Sequence, residues 1–254
     1  MIEELTQTFT AFPALFEGFF LVFLRIGAAM FVLPVFGEMM VPLRVKLAGV
    51  FAFSLVVYPV VGPSLVNIEM PILLAGLGEV VTGLAIGLIL RIHIMTIQVA
   101  ATMAAQATSL SQLLGGASVD PQPAIGMVLY LAALAVAVEL GLHVQFARMF
   151  IMSYGTVGVG NLIGSDLAKV ITGIISNSFE FAFVLAAPFV VVALVYNLTL
   201  GVINRAMPQL MVAFVGAPAI TYGALVLLAL TAPLILSLWL HSLEALIVNP
   251  FGGG

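Results

Sequence analysis

The chain has 254 residues, 63% hydrophobic and 7% charged, with seven Lys or Arg, eleven Asp or Glu and a formal net charge of −4. Soluble domains run at roughly 45–50% apolar and about 25% charged residues, so these proportions exclude a water-soluble enzyme, a disordered tail and a nucleic-acid binder, which needs a basic surface. What remains is an all-α integral membrane protein with room for five to seven spans, and the lack of cysteine excludes disulfides and thiolate metal sites.

The N-terminus, Met1-Ile2-Glu3-Glu4-Leu5, is acidic where a secretory signal is basic, so the first apolar stretch is expected to stay in the mature protein. Apolar runs of about 20 residues mark helices able to cross ~30 Å of hydrocarbon. The first covers Pro13 to Phe36, with Arg25 inside it, and a polar turn at 37–46 holds Arg44 and Lys46. The second covers Leu47 to Val61 and stops among Pro59, Gly62 and Pro63. After a loop at 64–70, Pro71 is well placed to open a third run, which ends near Arg91. Residues 92–113 stay helix-forming but carry Gln, Thr, Ser, Met and Ala in place of large aliphatics. Residues 114–123, with Gly115-Gly116 and Pro121-Gln122-Pro123, form a loop.

A long run from Ala124 to Met152 carries Glu139, His143 and Arg148. Residues 153–177 make a Gly- and Ser-rich connector with a short amphipathic helix near Asp166 and Lys169. Two runs, 179–203 and 209–243, joined by Asn204-Arg205-Ala206-Met207-Pro208, close the chain as a helical hairpin. The positive-inside bias puts Arg44 and Lys46 in the cytoplasm and the N-terminus outside. Seven spans follow if 92–113 crosses and six if it does not; counting charges alone favours seven.

No Walker A, G-x-S-x-G or H-E-x-x-H motif is present, so no catalytic residue, cofactor or metal is expected. Glu139 and His143 share one face of a continuous helix, but two ligands are too few for a metal. The plainer reading is an intramembrane pair that neutralises itself or meets a neighbour. Met95, Gln98, Thr102, Gln106 and Ser109 recur at helical spacing and line one face. Uncharged amides and hydroxyls are costly against lipid and comfortable against water or partner helices, so this face is either a conduit lining or a polar helix–helix seam. Ala100, Ala101, Ala104 and Ala105 have the spacing that lets helices approach closely.

In the third run Gly83 and Gly87 form a GxxxG face, and Glu79 points into that seam one turn earlier, where it needs a donor. Glu79, Glu139 and Glu180 qualify as partners for Arg25, Arg91 or Arg148 in an assembly and equally as proton carriers. Leu113, Gly115, Gly116, Ala117, Ser118, Val119 and Asp120 follow directly on the polar-faced helix, as a plug or as an ordinary surface turn.

Three blocks resemble a known family. Leu24-Arg25-Ile26-Gly27, Pro34-Val35-Phe36-Gly37, Val41-Pro42 and Lys46 are similar to the start of the FliR/SctT family of type III export-gate subunits. Asn204-Arg205-Ala206-Met207-Pro208-Gln209-Leu210 with Phe214-Val215-Gly216-Ala217-Pro218 resembles a second family block, and Asp120-Pro121 fits a third. The blocks occur in order over nearly the whole chain, with departures at Met211 and Ala217, where the family usually has Asn and Phe.

The resemblance implies a non-enzymatic subunit of the flagellar export gate in the bacterial inner membrane, at the flagellar basal body. It would assemble with FliP-like and FliQ-like subunits, FlhB and FlhA, pass unfolded flagellar proteins and contact membrane lipid, with no nucleic acid involved. It also implies a FliP-like part over 1–177, containing the helix 92–113 and the loop 114–123. A FliQ-like hairpin and tail would follow over 178–254, with the 204–209 tip toward the cytoplasm, which favours six spans. The competing function is an ion-coupled secondary transporter using Glu139, His143 and Glu180. It calls for an internal repeat with matched broken helices, and none is evident.

Overall fold

A computed structural model describes residues 2–34, 41–65, 70–108, 124–160, 166–207 and 212–251. All regular structure among them is helical: α1 (Ile2–Val32), α2 (Leu43–Val61) with a short 3-10 turn at Gly62–Leu65, α3 (Ile72–Thr108), α4 (Ala124–Glu139), α5 (Leu142–Thr156), α6 (Asp166–Ala206) and α7 (Val212–Val248). Proline opens two of them. The Pro71 carbonyl accepts from the amides of Leu74 and Ala75, and that of Pro42 from Val45 and Lys46. Pro13, Pro59 and Pro188 lie inside helices, which membrane helices tolerate because neighbouring groups re-satisfy the freed carbonyls.

Among the described residues five helices are long and apolar enough to cross a membrane, or six if the bent pair α4–α5 counts as one span. The seven-span count required residues 92–113 to cross as a helix of their own, and here 92–108 continue α3. Arg91 ends an apolar run without ending the helix, since arginine is a good helix former. Its Nη1 donates to the Val32 carbonyl at 3.2 Å, so the cation sits on the C-terminal end of α1, where the helix dipole favours it.

The apolar run 124–152 is two helices, not one. Gly141, at φ 80°, turns the chain left-handed between them. In the connector, Asp166 and Lys169 belong to the first turn of the 41-residue α6 rather than to a separate short helix.

The described chain forms two compact units in which α3, α6 and α7 each take part at different points along their length. One comprises Met1–Ile92, Gly141–Ile174 and Glu244–Gly254; the other comprises His93–Leu140 and Ile175–Leu243. In the first, Phe19 of α1 stands edge-on to Phe51 and Tyr58 of α2 at 5.6 and 5.7 Å. Ile26 of α1, Ile86 of α3 and Phe150 of α5 are fully buried in that unit. In the second, His93 of α3 is stacked between Phe181 of α6 and Trp239 of α7, at 6.4 and 6.2 Å. The indole Nε1 donates to the His93 carbonyl at 3.3 Å.

Candidate functional site: a buried ion-pair clasp and an uncharged polar face

The α1–α3 seam is built on missing side chains. A Cβ on Gly83 would run into the Arg25 carbonyl and Ala28, and one on Gly87 would lie 2.5 Å from the Ala29 carbonyl oxygen. The two backbones therefore touch, as small-residue seams allow. Glu79, one turn before Gly83, faces Arg25 on the opposite helix. Arg25 Nε donates to Glu79 Oε2 at 2.6 Å and Nη2 to Oε1 at 2.9 Å, a bidentate pair. Both side chains have no exposed surface.

The rest of the clasp comes from α5 and its exit turn. Arg25 Nη1 donates to Ser153 Oγ at 3.0 Å and Nη2 to the Val157 carbonyl at 3.2 Å. The guanidinium carbon lies 3.6 Å from the centre of the Tyr154 ring, a cation–π contact. Tyr154 Oη donates to Glu79 Oε2 at 3.0 Å, and the Gly160 amide to Oε1 at 3.4 Å. Gly160 is at φ 70°, and a Cβ on Gly78 would lie 2.7 Å from its Cα. Only glycine at both positions lets the turn close onto the carboxylate.

Each Glu79 oxygen thus accepts two hydrogen bonds, and four of the five guanidinium N–H groups are engaged. Glu79 finds its donor within the chain. The arrangement ties α1, α3 and the end of α5 together and presents no nucleophile or open acid–base pair.

The face singled out in α3 lies outside the core of its unit. Met95, Thr102 and Gln106 are exposed and Gln98 half-exposed, whereas Ala100, Ala101, Ala104 and Ala105 are buried. The alanines serve close packing: a Cβ on Gly126 of α4 would meet the Ala101 carbonyl oxygen at 3.4 Å. Gln98, Val99, Thr102, Met103 and Gln106 line a depression of about 320 Å³, and Thr102 Oγ1 donates to the Gln98 carbonyl at 2.8 Å. Ser109, Leu113 and Gly115 to Asp120 lie outside the described residues.

The remaining ionisable candidates are not brought together. Glu139 ends α4 and His143 lies beyond the Gly141 break, so they do not share a continuous helical face, and both are exposed. Glu180 of α6 is exposed as well. Among the described residues no group of three His, Cys, Asp or Glu side chains is placed to hold a metal.

Sequence reasoning missed Ser153, Tyr154, Gly78 and Gly160. The polar Ser153-Tyr154 step in a membrane segment is the signal that was there to use. It also missed the His93 stack, for which the chain's single tryptophan was a marker.

A family model, bacterial export proteins family 1, matches residues 16–246. The flagellar biosynthetic protein FliR of Caulobacter vibrioides is 30% identical over 227 residues, covering 86% of this chain and 90% of its own length. That of Bacillus subtilis is 27% identical over 211 residues, covering 80% and 82% respectively, and that of Escherichia coli 25% over 223 residues, covering 84% and 83%. The chain belongs to bacterial export protein family 1, the FliR family, and is a non-enzymatic inner-membrane component of the flagellar type III export apparatus.

Proposed function

We propose that, within that apparatus, this chain supplies part of the conduit wall through the exposed α3 face at Met95, Gln98, Thr102 and Gln106, continued by Ser109. The segment holding Leu113 and Gly115 to Asp120 follows as the closing element. The observation that carries this reading is the sidedness of α3. Ala100, Ala101, Ala104 and Ala105 are packed inside their unit, while the carboxamides of Gln98 and Gln106 and the Thr102 side chain are left outward, where lipid would be a poor solvent for them.

The Arg25–Glu79 clasp, sealed by Ser153, Tyr154 and Gly160, holds α1, the first part of α3 and α5 together within one unit. Gly83 and Gly87 let that seam close. Glu139, His143, Arg148 and Glu180, all exposed in the single chain, are available for sister subunits. Those partners are FliP-like and FliQ-like subunits, FlhB and FlhA. In this arrangement residues 1–177 are the FliP-like part and 178–254 the FliQ-like hairpin, its 204–209 tip toward the cytoplasm.

The test is a photoreactive side chain at Met95 or Thr102 in cells holding a stalled export substrate. Adducts with the stalled polypeptide are expected. Adducts with acyl chains alone would overturn the conduit assignment.

A further inference from the structure

Resting on that conduit reading, we infer that Gln98, Thr102 and Gln106 hold the exported polypeptide by its backbone peptide groups, not by its side chains. Three features of the strip converge on this occupant. The first is hydrogen-bonding capacity. Gln98 and Gln106 each offer a carboxamide with two N–H donors and an acceptor oxygen, and both line the depression with exposed surface. A carboxamide is complementary to a peptide group in both directions. Thr102 has spent its proton on the Gln98 carbonyl, so the middle rung receives an N–H and offers none.

The second feature is pitch. The three residues are spaced four apart, which on a helix is about 6 Å per step. An extended chain presents equivalent peptide groups every two residues, about 6.7 Å apart. Three rungs therefore stay in step with one edge of an extended segment, the flexible glutamines absorbing the small mismatch.

The third feature is charge. Residues 92–108 contain no Asp, Glu, Lys or Arg. A charged wall would retain segments of opposite sign and repel those of like sign; this one treats them alike. Val99 and Met103 complete the floor of the depression, and Met95 is exposed beside it. Methionine adapts its unbranched thioether to side chains of many shapes. Such contacts exchange water hydrogen bonds for amide ones at small net gain, so the strip guides a chain without trapping it.

The experiment places a photoreactive residue at Val99 and stalls three export fusions whose translocating segments are acidic, basic or neutral. All three should crosslink. If none does, the conduit reading falls and this inference with it. Export of the same fusions is then compared among the native protein, the Q98L/Q106L variant and the Q98N/Q106N variant, with assembly checked by co-purification.

The leucine variant should slow all three fusions by a similar factor, about fivefold for roughly one hydrogen bond lost, and the asparagine variant should retain most of the rate. Unchanged export in the leucine variant, or loss confined to one charge class, overturns backbone recognition while leaving the conduit reading intact. A second measurement leaves this protein unaltered: alternate prolines in the neutral segment remove peptide N–H groups and should lower the Val99 adduct relative to alternate alanines. Equal adducts overturn the inference.

Discussion

Arg25 and Glu79 are opposite charges withdrawn from water and lipid alike, and their energetics turn on completeness. Burying either ion alone costs several kcal/mol (~3–5 kcal/mol when one partner of a buried pair is removed), whereas replacing both with apolar groups of similar volume is often close to neutral. Completeness here extends past the pair, since Ser153, Tyr154, Val157 and Gly160 take up all but one of the remaining guanidinium and carboxylate positions. Glu79→Gln leaves the guanidinium buried without a counter-charge. It should lower the thermal midpoint of the detergent-purified protein sharply and reduce its recovery in the assembled apparatus. The double variant R25M/E79M should recover much of that loss. A double variant as unstable as E79Q would mean that the pair's worth lies in its hydrogen-bond geometry rather than in charge compensation.

At the scale of the helix, Gly141 decides what a long apolar run becomes. Its φ of 80° is a conformation that costs an L-residue with a side chain about 1–2 kcal/mol, and a Cβ there would meet nothing within 4 Å. Gly141→Ala therefore loads backbone strain with no steric clash to confuse it. Its expected effect is a stability loss of about 1–2 kcal/mol, read as a lower melting midpoint, and a smaller loss for Gly141→Asn. An unchanged or raised midpoint, with added helicity by circular dichroism, would show α4 and α5 merging into one straight helix. This break also marks what the sequence made legible. Apolar runs located the helices, with one run standing for both α4 and α5, because burial or lipid contact imposes hydrophobicity whatever the local geometry. They blurred the ends, because Arg91 interrupts hydrophobicity without interrupting the hydrogen-bond ladder, while Gly141 does the opposite. The Gly83–Gly87 seam and the need of Glu79 for a donor could be read from spacing within one helix. That the donor is Arg25, with Ser153 and Tyr154 beside it, depends on contacts 54 to 128 residues away in sequence, which no local pattern encodes.

Across the whole molecule, helix length and solvent are mismatched. At 1.5 Å per residue, α3 and α7 are about 55 Å long and α6 about 60 Å, against ~30 Å of hydrocarbon. Only 17% of the apolar part of α7 is buried within the chain, so lipid and sister subunits must cover the remainder. The number of crossings is then fixed by which side each connection faces. With the N-terminus outside and α4–α5 as one span, the 62–71 connection lies outside, the 204–209 tip inside and Asn249 outside. The chain contains no cysteine, so single replacements at Ser64, Asn204 and Asn249 report these positions without background. An impermeant maleimide added to spheroplasts should label Ser64→Cys and Asn249→Cys at once, and Asn204→Cys only after permeabilisation. An odd number of crossings inverts the last two, because removing or adding one span before α6 reverses the hairpin. Labelling of Asn204→Cys from outside, with Asn249→Cys protected, would therefore show that the bent pair does not cross as one span, and would move the hairpin tip away from the cytoplasm.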